Sequence, residues 1–203
     1  MGKVIVSEFL SLDGVMQSPG YDGEDRRGGF EHGGWQPPYF DDAAGQAVIG
    51  SIQSAGGLLL GRRTYEIFAA HWPNQGPDDP LAPTLNAMQK YVASRTLKEP
   101  LEWENSTLLG DVANDVAKLR EQSRGDLLVI GSGELVEALM EHDLVDEYRL
   151  MMHPLLLGSG RRLFPDGSMK VPLQLVDSST TAKGVLIVTY RPAVADAQRE
   201  GGQ

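Results

Sequence analysis

The chain has 203 residues, 41% hydrophobic and 23% charged, which suits one globular domain with a sizeable core. Its net charge of −10, from 18 basic and 28 acidic residues, repels a nucleic-acid backbone and argues against broad DNA or RNA binding. With no cysteine, the chain can form no disulfide, thiolate metal site or cysteine nucleophile.

Lys3 to Ser11 is β-branched and partly alternating, so it predicts a strand. Glu8 breaks its apolar run, so the N-terminus is no signal peptide. Nor does any apolar run approach the ~18 residues of a membrane span, and we expect a cytoplasmic protein. Leu12 to Pro38 is a long stretch rich in Gly, Pro and Asp. Its aromatics Tyr21, Phe30 and Trp35, with Tyr39 just beyond, predict a loop that packs over something. A helix follows over Asp41 to Ala55, then a strand at Gly57 to Leu60 and a helix over Arg63 to Ala70. A proline-rich loop at 73–83 leads to a short helix near Thr84 to Gln89, the strand "KYVAS", the strand "STLLG" and a helix over Asp111 to Gln122. "LLVIGSGELVEALMEH" reads as strand, tight turn and helix. Glu147 to His153 is a strand, and "LQLVDSS" and "GVLIVTY" form a closing antiparallel pair. The tail, 193–203, is expected to fray.

Strands alternating with helices predict an α/β fold with a mostly parallel sheet, made mixed by the terminal hairpin. Ligands of such sheets bind beyond the carboxyl ends of the strands. Three turns lie there. Gly131-Ser132-Gly133 lets the backbone approach a ligand and opens a helix whose first amides are unpaired. Ser132 either caps that helix or offers its hydroxyl to a phosphate. The turn is not a dinucleotide fingerprint, because Val136 stands where the third Gly belongs. It is not a nucleophile elbow either, because Ile130 stands where the first Gly belongs. Gly61-Arg62-Arg63-Thr64 sets two cations against a helix macrodipole, a cost that a phosphate would offset unless both side chains reach into water. Ser94-Arg95-Thr96 pairs an Arg with hydroxyls, which suits a 2′-phosphate or a plain surface turn. Three such turns on successive units fit one dinucleotide. His32, His71, His142 and His153 have no metal-ligand spacing.

The pieces "SEFLSLDGVM", "LLLGRRTYE", "VASRTL", "LLVIGSGEL" and "VDEYRLMMHPLLLGSGRRLF", with the closing hairpin, resemble the dihydrofolate reductase-like superfamily. The resemblance is strongest to the reductase domain of riboflavin biosynthesis (RibD C-terminal type), here in stand-alone form over residues 1–192. It implies a central sheet of about eight strands that binds NADPH. It places Gly61, Arg62, Arg63 and Thr64 at the phosphates and Ser94 and Arg95 at the adenosine end. The backbone of Gly131, Ser132 and Gly133, with Glu134 and Leu135 of the following helix, would cradle the pyrophosphate. Ser11 to Gly14 would lie by the nicotinamide and substrate, with Asp13 either catalytic or bracing the turn. Arg161 and Arg162 would meet a substrate phosphate if there is one. The implied activity is NADPH-dependent reduction of a pyrimidine-like or pteridine-like heterocycle. The ribosylaminopyrimidinedione-phosphate and dihydrofolate types are the two examples, and the enzyme is expected as a homodimer. A non-catalytic NADP(H)-binding or stress-related protein of the same fold is the alternative. The deaminase half of the bifunctional riboflavin enzyme, with its Pro-Cys-x-x-Cys, is absent from this sequence.

Overall fold

The computed structural model describes residues 1–123 and 125–193. Apart from Ala193, the expected frayed tail lies outside them. Eight strands form one sheet: β1 (Val4–Ser11), β2 (Ala55–Gly61), β3 (Lys90–Ala93), β4 (Ser106–Leu109), β5 (Asp126–Ile130), β6 (Glu147–His153), β7 (Leu173–Thr180) and β8 (Leu186–Pro192). The helices are α1 (Asp42–Ser54), α2 (Arg62–His71), α3 (Ala82–Ala87), α4 (Val112–Gln122) and α5 (Gly133–Glu141).

The sheet order is β4-β3-β2-β5-β1-β6-β8-β7. Pairings from β4 to β6 are parallel, whereas β8 runs antiparallel to both β6 and β7. The interior strands read as near-continuous apolar runs because helices cover both faces. Alternation sends Ile5, Leu58, Leu60, Val92 and Leu128 to one face, against Ile52 of α1, Tyr65 of α2 and Leu85 of α3. It sends Val4, Val6, Leu59, Leu127 and Val129 to the other face, against Val116 of α4 and Leu135, Val136 and Leu139 of α5.

The long segment after β1 is a packed loop, as its aromatics predict. Val15, Phe30 and Trp35 form a small buried cluster of their own. The Trp35 indole donates to Gln17 O at 2.8 Å, and the Gln17 amide donates to Asp25 O and Arg27 O at 3.0 Å each. Phe68 and Trp72 pack into the α2 side of the core. Most of the aromatics are therefore anchors.

Candidate functional site

Because β1 to β6 run parallel, Ser11, Gly61, Ala93, Leu109, Ile130 and His153 all end at one edge of the sheet. The Gly61 and Gly131 turns meet there. Ser132 Oγ accepts from Gly61 N at 2.9 Å and donates to Ile130 O at 3.2 Å. The Ser132 hydroxyl is therefore neither a helix cap nor free for a phosphate. It ties the end of β2 to the end of β5, which corrects both readings drawn from the sequence. Gly131 (φ +61°) sits under Thr64, whose Oγ1 would lie 2.8 Å from a Cβ at that position. Only glycine fits there.

Two helices thus start side by side, and neither α2 nor α5 has a side-chain cap. In contrast, Asp41 caps α1 and Asp111 caps α4. In α5 the Ser132 carbonyl accepts from Leu135 N and Val136 N, and the amides of Gly133 and Glu134 meet no protein acceptor among the described residues. Adjacent open helix N-termini present amide donors and partial positive charge at the ends of β2 and β5. The arginines beside them have partners. Arg62 lies 3.5 Å from Glu66, and Arg63 lies 3.7 Å from Glu66 and 3.9 Å from Asp25. These carboxylates relieve the unfavourable charge at the α2 start, so the two arginines no longer require a phosphate.

Ser94 Oγ accepts from Thr96 N (3.2 Å) and Leu97 N (3.0 Å), which makes it the pin of a turn. Arg95 is exposed and makes no ion pair among the described residues. It lines a cavity of about 680 Å³ with Ser94, Lys98 and Gly110. The cavity extends the row of turns outward across β2, β3 and β4. With strands about 4.8 Å apart, β5 to β4 spans about 14 Å.

On the other side of β5, Asp13 braces the turn after β1. Its Oδ1 accepts from Ser11 Oγ (2.6 Å) and Leu157 N (3.1 Å), and its Oδ2 accepts from Gly158 N (2.8 Å). The Ser11 hydroxyl, and then the two amides, hold its carboxyl at about 2. Asp13 is therefore ionised at neutral pH and has no proton to give, so the geometry is that of the bracing alternative. Arg162 Nε donates to Asp13 O at 2.9 Å, and Arg161 pairs with Glu134, so both arginines of that loop are engaged.

Two groups escape the sequence reading. Glu8 is buried on the α5 face of β1, and its Oε1 has no partner among the described residues. Burial pushes its carboxyl well above the usual range, and the Gly131 amide offsets this only in part. His153, at the end of β6, places Nδ1 at 3.1 Å from Leu10 O and 2.9 Å from Met151 O. Both neighbours are acceptors, so Nδ1 carries the proton. Burial lowers the His153 pKa and keeps the ring neutral. Strand alternation alone turns Glu8 inward with Val4, Val6 and Leu10, and that signal was available in the sequence.

The chain is 30% identical over 136 residues to the uncharacterized protein YyaP of Bacillus subtilis (strain 168), covering 66% of this chain and 72% of that one. Its fold is similar to that of a protein from Shewanella sp. PV-4 named for riboflavin biosynthesis. There the TM-score is 0.73 at 22% identity, over 96% of this chain and 100% of that one. It is also similar to a Thermotoga maritima diaminohydroxyphosphoribosylaminopyrimidine deaminase/5-amino-6-(5-phosphoribosylamino)uracil reductase, with TM-score 0.60 at 15% identity. That match covers 95% of this chain but only 57% of the Thermotoga chain. Residues 2–187 match the RibD C-terminal domain, and the chain belongs to that family.

Proposed function

We propose that residues 1–192 form an NADPH-dependent reductase that passes hydride to a small pyrimidine-like or pteridine-like heterocycle. The observation that carries this reading is the pair of uncapped helix N-termini at the ends of neighbouring strands, in a chain whose α1 and α4 are capped by aspartates. That arrangement fits a diphosphate. Gly131, Ser132 and Gly133 bring the backbone close, the open amides of α5 are those of Gly133 and Glu134, and Leu135 follows in the same first turn. Gly61, Arg62, Arg63 and Thr64 form the facing wall. Ser94 and Arg95 hold the adenosine end in the cavity beside β3, where Lys98 adds a second cation. NADPH, when bound, supplies the hydride. The β1 and β6 ends hold the substrate, and Asp13 fixes the turn between them. Burial raises the Glu8 carboxyl well above its ordinary range, which favours its protonated form. The reductase named for the Thermotoga relative supports a substrate of the phosphoribosylaminouracil type.

Calorimetric titration with NADPH and, separately, NADH tests the reading. We expect micromolar NADPH binding with a clear preference over NADH. NADPH oxidation should follow with at least one member of a panel of pterins and ribosylaminopyrimidines. Failure to bind either nucleotide would remove the reductase reading. Tight NADPH binding with no oxidation across the panel would favour a non-catalytic NADP(H)-binding protein.

A further inference from the structure

The α1 face of the sheet is incompletely covered at its centre. β1 and β6 are interior strands, and interior strands flanked by helices are normally buried on both faces. Ser7 and Phe9 on β1 and Arg149 on β6 are nevertheless only partly buried, although Ile5, Met151 and His153 on the same face are buried. Register places Ser7 beside Arg149 and Phe9 beside Met151, so the partly covered residues adjoin one another. At the carboxyl end of this gap the rings of Phe9, Trp35 and Tyr39 surround His153, with centroids 5.8, 5.2 and 6.1 Å away. At the other end Arg149 reaches across to α1, where its Nη1 lies 3.5 Å from Ser51 Oγ.

The charge at that end does not balance. Glu147, with a side chain only 4% exposed, accepts from Arg149 Nε at 2.8 Å through Oε1. Through Oε2 it accepts from Arg191 Nε at 3.0 Å and Nη2 at 2.8 Å. One arginine would neutralise the carboxylate, and the second leaves a positive charge over. α1 carries no Lys or Arg, so it adds no positive charge of its own. Arg149 is fixed through Nε to Glu147 and through Nη1 to Ser51, is 30% exposed, and keeps Nη2 without a protein partner among the described residues. A guanidinium aimed in this way matches a phosphate or carboxylate. His153 stands four residues along the same strand, about 13 Å away, the length scale of a ring bearing a sugar phosphate. With Nδ1–H committed to two carbonyls, its Nε2 is an acceptor with no protein partner among the described residues.

We propose that this gap is the substrate compartment, and that Arg149, aimed by the buried Glu147, holds a phosphate or carboxylate carried by a planar heterocycle. The assignment of the gap to a substrate rests on the reductase reading, whereas the anion site does not. The test is calorimetric binding of UMP, orotate and uridine, which are a pyrimidine phosphate, a pyrimidine carboxylate and a neutral control, with NADPH titrated separately. One anionic probe should bind at least tenfold more tightly than uridine, and whether it is UMP or orotate names the anion. Arg149→Ala should erase that advantage and leave NADPH affinity unchanged. If that variant fails to fold, Arg149→Lys carries the test. It keeps the charge but loses the Nε bond to Glu147, and should weaken the preferred probe severalfold. The proposal falls if both anions bind no better than uridine, if no probe binds, or if a folded Arg149 variant binds like the wild type. An Arg149-dependent preference without NADPH binding would remove the reductase reading and leave the anion site standing.

Discussion

Asp13 and Arg95 sit at opposite ends of the candidate site and have opposite surroundings. Asp13 accepts three hydrogen bonds, and its carboxyl is held at about 2. A carboxyl lowered on folding contributes stability above its unfolded pKa, and that contribution is lost as pH falls through the folded value. Thermal unfolding between pH 4 and pH 2 should therefore fall more steeply for the wild type than for Asp13→Asn. The variant should be less stable at neutral pH, by about 1 kcal/mol, because a charged acceptor of the Leu157 and Gly158 amides is lost. Near-equal acid profiles would mean that Asp13 does not brace the turn. Arg95 has no ion-pair partner among the described residues to lose, so its replacement should leave stability alone. If it holds the 2′-phosphate, Arg95→Ala costs ~1.5–3 kcal/mol, a ~10- to 150-fold rise in the Kd for NADPH, and barely alters NADH. Equal weakening of both nucleotides, or of neither, would remove the adenosine end from this turn. Both positions were legible in the sequence, but the sequence could not decide between brace and acid for Asp13. That choice depends on Leu157 and Gly158, which are more than 140 residues away. Glu8 was missed for a different reason. A charge inside an apolar run reads as a break in the pattern, whereas in the sheet it is a buried acid.

At the scale of elements, most helices and strands were legible because propensity, caps and apolar period agree. Asp41 and Asp111 begin α1 and α4, where an N-cap belongs. What the period could not reveal is how separate turns lock together. Ser132 reads locally as an N-cap, yet its hydroxyl serves Gly61, 71 positions earlier. Ser132→Ala should therefore cost about 0.5–1.5 kcal/mol and loosen the α2 and α5 starts together, weakening NADPH through both. Unchanged NADPH affinity in that variant would count against a shared cradle. Lys90 is the second long-range lock. It is buried, its ammonium donates to Asn86 O at 2.7 Å and Glu104 O at 2.9 Å, and it lies 4.2 Å from the Trp103 ring. It joins α3, the amino end of β3 and the segment before β4. Burial brings its pKa down to about 8. A lysine lowered on folding binds its proton less tightly in the native state, so stability rises with pH from about 8 to the unfolded value near 10.5. Calorimetric melting should show that rise in the wild type and not in Lys90→Met. The variant should also be less stable at pH 7, because two carbonyls lose a donor. A parallel pH profile in the two proteins would contradict it.

Across the whole molecule, the covered and uncovered parts of the sheet differ. From β4 to β6 the helices protect most of both faces, the gap over β1 and β6 apart, but every residue of β7 is exposed, and among the described residues no strand pairs with its outer edge. Such an edge offers a row of free amides and carbonyls, and proteins usually blunt it with charge or proline. β7 has only Asp177 for this, and it exposes Leu175 at 50% and Val176 at 46% beside a bulge. We expect this face to be covered by a second copy in a homodimer, which would bury those side chains and leave the cradle open. The cradle lies across β5, β2 and β3, on the opposite half of the sheet from β7. Light scattering coupled to size exclusion should then give twice the mass of one chain. Leu175→Lys combined with Val176→Lys should bring it to one chain mass, with NADPH affinity unchanged, because the substitutions add like charges to a face meant to meet its own copy. A wild type of one chain mass would remove the dimer. A dimer that survives the double substitution would move the interface away from β7, because two facing pairs of lysines cannot pack where two pairs of apolar side chains did.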